Sequence, residues 1–256
     1  MTASEAVDDR PTLLQPGALR GARLLGRVGL GRYARCMSAG ALGRIVIVGA
    51  GGHATSVAET AAAAGYEIVA FVGRPDRDST RLGVPIVAEV PAEHMARGGV
   101  LAVAEGDNAA REAVVSQLGV EVTADVFPAL VHPSASVSRF ASIGAGTVIL
   151  QAGVVGAAAA VGAFCIVNTG ASVDHDGVLG DYASLGPGAT LGGTVHIGRR
   201  SAIGIGAVVK HGLSVGDDAV LGAGSYAHTD VPANCVAYGS PAAFVRHRNP
   251  GDPYLR

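Results

Sequence analysis

Residues 197–209 read Ile-Gly-Arg-Arg-Ser-Ala-Ile-Gly-Ile-Gly-Ala-Val-Val and place an aliphatic residue at every sixth position. The same spacing runs from Val131 to Leu221 without a break. A small residue lies four places after the aliphatic in fourteen of sixteen hexads, and Gly follows it directly in ten. The sixteen aliphatic positions are Val131, Val137, Ile143, Ile149, Val155, Val161, Val167, Val173, Leu179, Leu185, Leu191, Ile197, Ile203, Val209, Val215 and Leu221.

A six-residue period supplies one short strand and one bend. Three such units close a triangular coil, and successive coils stack at about 4.8 Å, the spacing of neighbouring strands. The aliphatic side chains fill the interior, the small residues let the wall pack closely, and glycine is expected to accommodate the bends. The sequence therefore predicts a parallel β-helix of the hexapeptide type over residues 131–245.

The region before the repeat alternates strands with helices. Because this alternation indicates a parallel sheet, residues 44–130 are expected to form a Rossmann-like domain, about half of a full dinucleotide fold. The strand candidates are Ile45–Val48, Ile68–Val72, Val84–Val87 and Val100–Val103, and the helix candidates are Ser56–Ala64 and Asn108–Leu118, the latter followed by an apolar stretch at Val120–Val126.

The two ends of the chain differ from these regions. Residues 1–43 include six arginines among the first 36 positions and lack a sustained apolar face, which predicts a disordered or non-native extension. Met37 is an alternative start. Residues 246–256 are predicted to be a C-terminal tail.

Composition excludes several classes of protein. A formal charge of −2 without a basic run gives no footprint for nucleic acid, and 38 glycines without a three-residue period exclude collagen. Cys36, Cys165 and Cys235 form no disulfide framework, so a reducing, cytoplasmic location is expected. The 34 uncharged residues between Arg139 and Asp174 keep the hexad spacing, which favours a buried or subunit-facing wall over a membrane span.

A glycine-rich turn follows the first predicted strand. Gly49-x-Gly51-x-x-Ala54 fits the phosphate-binding pattern that opens a helix. The acid that a bound NAD ribose requires after the next strand is replaced by Gly73-Arg74, and His53 has no place in a plain dinucleotide turn. The alternative is a tight strand-to-helix turn without a ligand.

His175 occupies the third place of its hexad, outside the inward-facing positions, and is flanked by Asp174 and Asp176. A neutral imidazole can take a proton from an amine or a hydroxyl, and a neighbouring carboxylate raises its basicity. The alternative is a solvated histidine in a bend.

Metal ligation and cysteine chemistry are disfavoured. His175 and His211 share a hexad position but lie two coils apart, about 10 Å, which is too far to share one zinc ion. Cys165 falls in a small inward-facing position, which indicates packing rather than a nucleophile. No metal is expected.

Four segments together resemble the bacterial sugar acetyltransferases that include sialic acid O-acetyltransferases and UDP-amino-sugar N-acetyltransferases. They are Val48-Gly-Ala-Gly-Gly-His-Ala54, Glu105-Gly-Asp-Asn-Ala-Ala-Arg111, Val131-His-Pro-Ser-Ala135 and Asn168–Asp181 with its His-Asp pair. The segment from Asp230 to Ala242 resembles the closing part of hexapeptide acyltransferases.

The resemblance implies a left-handed β-helix and a homotrimer whose active sites lie between neighbouring subunits and use acetyl-CoA. His175 would be the general base, supported by Asp176. The acceptor, a sugar or nucleotide sugar, would be bound by Gly51, Gly52, His53, Gly106 and Asn108. The cofactor would be contacted by Ser184, Gly193, Ile205 and Ala223.

Two positions depart from the family pattern. Gly73-Arg74 stands where some members carry acidic residues that bind the nucleotide base, so UDP is not assigned. Ser184 replaces a second histidine of some members, and its hydroxyl can still donate a hydrogen bond to a thioester carbonyl. The expected activity is acetyl transfer to a sugar amino group; O-acetyl transfer and a non-catalytic trimeric scaffold are the alternatives.

Overall fold

The computed structural model describes residues 42–74 and 79–254. It contains an N-terminal α/β unit with a parallel sheet, followed by a left-handed β-helix, so the predicted fold class is confirmed. Nearly all of the predicted N-terminal extension, including Met37 and Cys36, lies outside the described residues.

Among the described residues, the N-terminal sheet has five strands in the order β3-β4-β2-β1-β5. All neighbours are parallel except β3 and β4. The strands are β1 Gly43–Val48, β2 Tyr66–Val72, β3 Thr80–Arg81, β4 Val84–Val87 and β5 Val100–Val103, and the helices are α1 Gly52–Ala63, α2 Ala92–Ala96 and α3 Asn108–Gln117.

The predicted strands and both predicted helices of this unit are confirmed, but α1 begins at Gly52, four residues earlier than the apolar pattern indicated. Gly51 provides an extended backbone at the helix start. The stretch 120–126 contains no strand, although the Leu101 N–H donates to the carbonyl of Val126 at the sheet edge.

The central strand β1 is buried on both faces, as its unbroken aliphatic run requires. Ile45 and Ile47 pack against α1, and Val46 and Val48 contribute to a second cluster with Phe127. The sheet therefore has apolar layers on both sides.

Seventeen two-residue strands form the β-helix. Each pairs in parallel with the strand 18 residues away, as in Val154↔Ser172 and Ser172↔Thr190, which produces three sheets. Sheet I contains β6, β9, β12, β15, β18 and β21; sheet II contains β7, β10, β13, β16, β19 and β22; sheet III contains β8, β11, β14, β17 and β20. The strands are β6 130–131, β7 136–137, β8 142–143, β9 148–149, β10 154–155, β11 160–161, β12 166–167, β13 172–173, β14 178–179, β15 184–185, β16 190–191, β17 196–197, β18 202–203, β19 208–209, β20 214–215, β21 220–221 and β22 226–227.

The interior contains the predicted residues. One cluster holds aliphatic hexad residues from Val131 to Leu221 together with the small residues between them, including Cys165 at zero exposure. An antiparallel hairpin of β23 Cys235–Gly239 and β24 Ala242–His247 extends sheet I.

The role expected for the repeated glycines needs correction. A Cβ on any of the ten glycines that follow an aliphatic residue would lie less than 3.0 Å from the next coil, so these glycines allow close stacking. The left-handed bend lies two residues later. Gly occupies it at Gly146 and Gly170, but Phe164, Asp176 and Tyr182 also adopt it.

Part of the uncharged stretch forms the wall that faces the N-terminal unit. Val148 and Leu150 pack in the cluster of α1, and Phe164 packs against Phe127 with ring centroids 5.1 Å apart. Val154 on sheet II stays 41% exposed. None of the helices in the described ranges has the length and hydropathy that crossing a membrane requires.

The C-terminal segment after β24 is packed rather than free. Arg248 is buried, and its guanidinium donates to the carbonyl of Asp218 over 2.8 Å. Gly251 donates its N–H to the Asp218 carboxylate, and the Tyr254 N–H donates to Asp107 Oδ2 over 3.2 Å. The segment therefore returns to the N-terminal unit.

Candidate active site

The N-terminal sheet contains a topological switch point between β1 and β5. From β1 the chain moves outward through β2 to β4 and then returns to β5 on the other side of β1. In open parallel sheets ligands bind at such a point, beyond the carboxyl ends of the two strands. The segments located there are 49–53 after β1, which includes the first two residues of α1, and 104–107 after β5.

The glycines of the first loop have different tasks. Gly49 has φ +129°, and a Cβ there would lie 2.8 Å from the carbonyl oxygen of Ala104, so packing requires glycine. A Cβ on Gly51 or Gly52 would meet nothing within 4 Å. The packing of the fold therefore does not require glycine at these two positions. The N-terminus of α1 carries no side-chain cap and no acid in its first turn, which leaves its N–H groups suited to an anion.

His53 lies in the first turn of α1. Burial, with a smaller contribution from the Arg111 charge, lowers the pKa of His53 to about 4. The ring is therefore neutral at pH 7. Its buried Nε2 has no hydrogen-bond partner among the described residues.

Arg111 on α3 connects the two units and is 1% exposed. Its Nε donates to the carbonyl of Phe164 over 2.8 Å, and its terminal nitrogens donate to the carbonyls of Tyr182, Glu105 and Gly106. The guanidinium thus fixes the loop after β5 against the β-helix wall.

Asn108 stands beside Arg111 and is also 1% exposed. Its Nδ2 donates to the carbonyls of Arg200 and Ser201, and its Oδ1 accepts from the Arg111 guanidinium over 2.7 Å. Gly106, predicted with Asn108 to line the acceptor site, offers its carbonyl to Arg111. In this structure the Asn108 side chain holds the domain junction.

Ser184 on β15 faces the same junction and is 8% exposed. Its Oγ lies 2.9 Å from the hydroxyl of Tyr254, which also lies 3.1 Å from Asn108 Oδ1 and 3.2 Å from the Gly106 carbonyl oxygen. The sequence offered no sign that Tyr254 would reach this position.

His175 lies in the bend between β13 and β14, with its side chain 59% exposed. Its Nδ1 is 2.9 Å from Asp176 Oδ2. Donation by Nδ1–H to this carboxylate leaves the Nε2 of the neutral ring as a proton acceptor. The hydrogen bond to Asp176, followed by the charge of Asp174, raises the pKa of His175.

Gly193 lies one coil beyond His175. A Cβ at this position would collide with the imidazole, so glycine lets the ring lie against the wall. Ile205 and Ala223 stack one coil apart at a different corner, between sheets I and II, and the Ile205 side chain is 62% exposed.

Apart from Ile205 and Ala223, the predicted site residues therefore form two groups in one chain. His175, Asp176 and Gly193 share the corner between sheets II and III. Ser184 and Asn108 meet at the junction beside the 49–53 loop, where sheet I faces the N-terminal unit. Within one chain, His175 therefore lies on a different side of the β-helix from Ser184 and Asn108.

The described residues give little support for a metal site or for a cysteine nucleophile. No three His, Cys, Asp or Glu side chains converge as a metal set between residues 42–74 and 79–254. Burial raises the pKa of the Cys165 thiol to about 12. The structure explains why residue 73 is glycine. A Cβ at this position would lie 2.7 Å from the Cβ of Ala50, so no acidic side chain fits.

Comparison with known proteins gives consistent relatives. The PglD N-terminal domain family matches residues 44–118. The acetyltransferase domain of PglB from Neisseria gonorrhoeae, also solved with acetyl coenzyme A, is 34% identical with a TM-score of 0.70, covering 79% of this chain and 99% of that one. PerB from Caulobacter crescentus, solved with CoA and GDP-perosamine, is 36% identical with a TM-score of 0.72, covering 80% and 99%. No curated protein sequence matches the chain.

The chain belongs to the PglD-like family of sugar acetyltransferases. WeeI from Acinetobacter baumannii is a further solved relative at 26% identity and a TM-score of 0.69, covering 79% of this chain and 100% of that one. Membership makes the chain an acyltransferase.

Two residues of this PglD-like chain carry structural roles that the sequence did not reveal. Arg111 lies inside a recognised segment, but its partners on the β-helix are backbone carbonyls, which no residue type reveals. Tyr254 lies in the predicted tail.

Proposed function

We propose that the chain transfers an acetyl group from acetyl-CoA to the amino group of a nucleotide-linked sugar, with His175 as general base and Asp176 as its partner. The observation that carries this proposal is the hydrogen-bonded pair of His175 and Asp176. The pair lies on an exposed corner, and the interior packing of the β-helix does not include it. The relatives solved with acetyl coenzyme A, and with CoA and GDP-perosamine, support the substrate classes.

We propose the switch point between β1 and β5 as the acceptor site. Gly51 and Gly52 leave the approach to α1 open, and the N–H groups at the start of this helix suit the phosphates of a nucleotide. The neutral His53 ring contributes an unpartnered nitrogen at the same loop. Gly73 leaves no room for the acidic side chain that binds the nucleotide base of UDP in some family members. The nucleotide base of the acceptor is therefore recognised in another way by this chain.

Acetyl-CoA supplies an activated acetyl thioester. The exposed Ile205 side chain and the stacked Ala223 give an uncharged corner that fits the uncharged pantetheine arm of CoA. Gly193, next to the His175 ring, keeps the base corner free of a side chain.

The chemical task of His175 follows from its tautomer. Its Nε2 takes the proton that the acceptor amine loses as nitrogen attacks the acetyl carbonyl and the CoA thiolate leaves. Asp176 stabilises the imidazolium that forms, and positioned bases of this kind contribute roughly 10²–10⁴-fold to rate. A hydroxyl acceptor would use the same base.

A second copy of the chain completes this site. His175 and the acceptor crevice lie on different sides of one β-helix, so the base must serve the crevice of a neighbour. The homotrimer of the family meets this need, and Val154, Val208 and Tyr226, each 38–41% exposed on sheet II, offer apolar surface for it. The cytoplasmic location stays a prediction.

The test is CoA release from acetyl-CoA in the presence of GDP-, UDP- and dTDP-linked amino sugars, with GDP-perosamine first. His175→Ala should lower turnover by about 10³-fold. His211→Ala is the matched control, because His211 is an exposed histidine at the same hexad position two coils away. It should keep wild-type turnover at saturating acetyl-CoA.

Undiminished turnover in His175→Ala would contradict the base assignment. Turnover with hydroxyl sugars alone would assign O-transfer. Absence of turnover with every acceptor in a wild-type protein of the expected trimer mass would favour the scaffold.

A further inference from the structure

The C-terminal segment carries a tyrosine into the domain junction. After β24 the chain is fixed by Arg248 and Gly251 on Asp218, and Tyr254 then reaches residues of both units. Its backbone N–H donates to Asp107 Oδ2, and its hydroxyl contacts Gly106, Asn108 and Ser184. Three residues predicted to bind substrates thus share one hydroxyl.

The directions of these hydrogen bonds follow from the chemistry of the partners. The Gly106 carbonyl only accepts. The Asn108 oxygen is identified because its amide nitrogen donates to two carbonyls and its oxygen accepts from Arg111. The single Tyr254 proton therefore points to one of these two oxygens.

The hydroxyl of Ser184 must then be the donor to Tyr254 Oη, because the tyrosine has no second proton. Because the Ser184 hydroxyl proton is then bonded to Tyr254 Oη, Ser184 Oγ can only accept hydrogen bonds from other groups. It cannot donate to a thioester carbonyl, the role that the sequence suggested for it. It can accept a hydrogen bond from an amine of the acceptor.

We infer that Tyr254 is a positioning residue of the acceptor site, acting through Ser184 and the loop after β5. This inference rests on the proposed function. Tyr254 makes Ser184 an acceptor for the amino group of the sugar, and it ties Gly106 at the carboxyl end of β5 to the β-helix. The C-terminal segment is therefore part of the site rather than a tail.

Tyr254→Phe tests this because it removes one oxygen and keeps the ring. The Gly106 carbonyl and Asn108 Oδ1 retain Arg111 as donor, so the variant keeps its buried acceptors paired and should fold. The KM for the amino sugar should rise about tenfold, the equivalent of one lost hydrogen bond, with the KM for acetyl-CoA and the Tm unchanged.

Ser184→Ala should raise the same KM, and the double variant should be no worse than the worse single variant, because both remove one network. Ser184→Thr should restore affinity by keeping the hydroxyl. Tyr238→Phe is the matched control, since that tyrosine is 55% exposed on the terminal hairpin.

Three results with Tyr254→Phe would overturn the inference. The KM values could stay unchanged, or the KM for the sugar could fall, which would show that the C-terminal segment competes with substrate. The third is a fall in Tm large enough to account for the change in KM. Turnover by the wild-type protein and its loss in His175→Ala decide the proposed function separately. A failure of one is thus distinguished from a failure of the other.

Discussion

The corner that carries His175 and the junction that carries Arg111 place functional side chains under opposite conditions. The His175 side chain is 59% exposed; its ring is bonded to Asp176, and its backbone N–H donates to Asp174. Arg111 is 1% exposed and bonded to carbonyls 53 and 71 residues away. At the corner, the side chains proposed for the chemistry do not contribute to the packing of the fold. At the junction, the same side chains hold the two units together and lie in the proposed site.

This difference has a consequence for substitutions. Changes at the corner should alter rate without altering the free energy of unfolding, because the β-helix interior does not include these side chains. Changes at the junction should alter stability first, since a buried polar group that loses its partner costs free energy. Each of the following substitutions or conditions tests one side of this contrast.

Arg111→Met should have the largest effect. The substitution leaves the carbonyls of Phe164 and Tyr182 without this donor in a buried interface, which should lower the free energy of unfolding by about 3 kcal/mol or more. Urea titration followed by circular dichroism measures it.

The matched control is Arg97→Met, at an exposed arginine of the same unit, which should change stability by less than about 0.5 kcal/mol. A loss below about 1 kcal/mol in Arg111→Met would mean that the junction is not held by this side chain.

The sequence predicted the β-helix well because every hexad position has a fixed environment. An inward position demands an aliphatic or a small residue, so the period alone identifies strands as short as two residues. His175 stood out for the same reason: the wall does not need it. What each repeated glycine does was misjudged, because close stacking and a left-handed bend both select glycine but occur at different places.

The junction could not be predicted in this way. The bonds of Arg111 and Asn108 go to backbone carbonyls, which every residue possesses, so no residue type marks the partner. The place of Tyr254 depends on a chain reversal after β24 that has no periodicity. The resemblance named Asn108 and Ser184, but it did not show that one tyrosine joins them.

His53 gives the junction side a pH dependence. Its folded-state pKa is about 4, against an ordinary value of 6.5 that the unfolded chain should show. Because the folded pKa is depressed, its contribution to stability is complete above pH 6.5 and is lost as the pH falls toward 4. Between pH 7 and pH 5 the free energy of unfolding should fall by about 2 kcal/mol from this group.

Urea titrations at pH 7 and pH 5 measure this loss, and His53→Gln should remove most of it because glutamine does not titrate. An equal loss in the variant would show that other groups cause the acid sensitivity. His175 offers the comparison on the other side, since His175→Ala should leave the pH dependence of stability nearly unchanged.

Asp176→Asn should have the smallest effect and isolates the electrostatics of the corner. Asp176 adopts a left-handed backbone with φ +57°, which asparagine also tolerates, so the fold and the hydrogen bond to Nδ1 should persist. The hydrogen bond to the Asp176 carboxylate, followed by the charge of Asp174 and then that of Asp176, raises the pKa of His175, so replacing this carboxylate by an amide should lower that pKa. Since only the neutral ring accepts a proton, the rise of kcat/KM with pH should move to lower pH, while the plateau falls by about tenfold as the base weakens.

Initial rates with saturating acetyl-CoA across pH 5–9 measure both changes. Asp174→Asn is the control: Asp174 acts on His175 through charge and a bond to the backbone N–H, not through the ring, so its profile should move in the same direction by less. A profile that stays in place in Asp176→Asn, or moves to higher pH, would mean that another group titrates in the rate. Because the corner does not contribute to the core, both variants should unfold at the wild-type urea concentration.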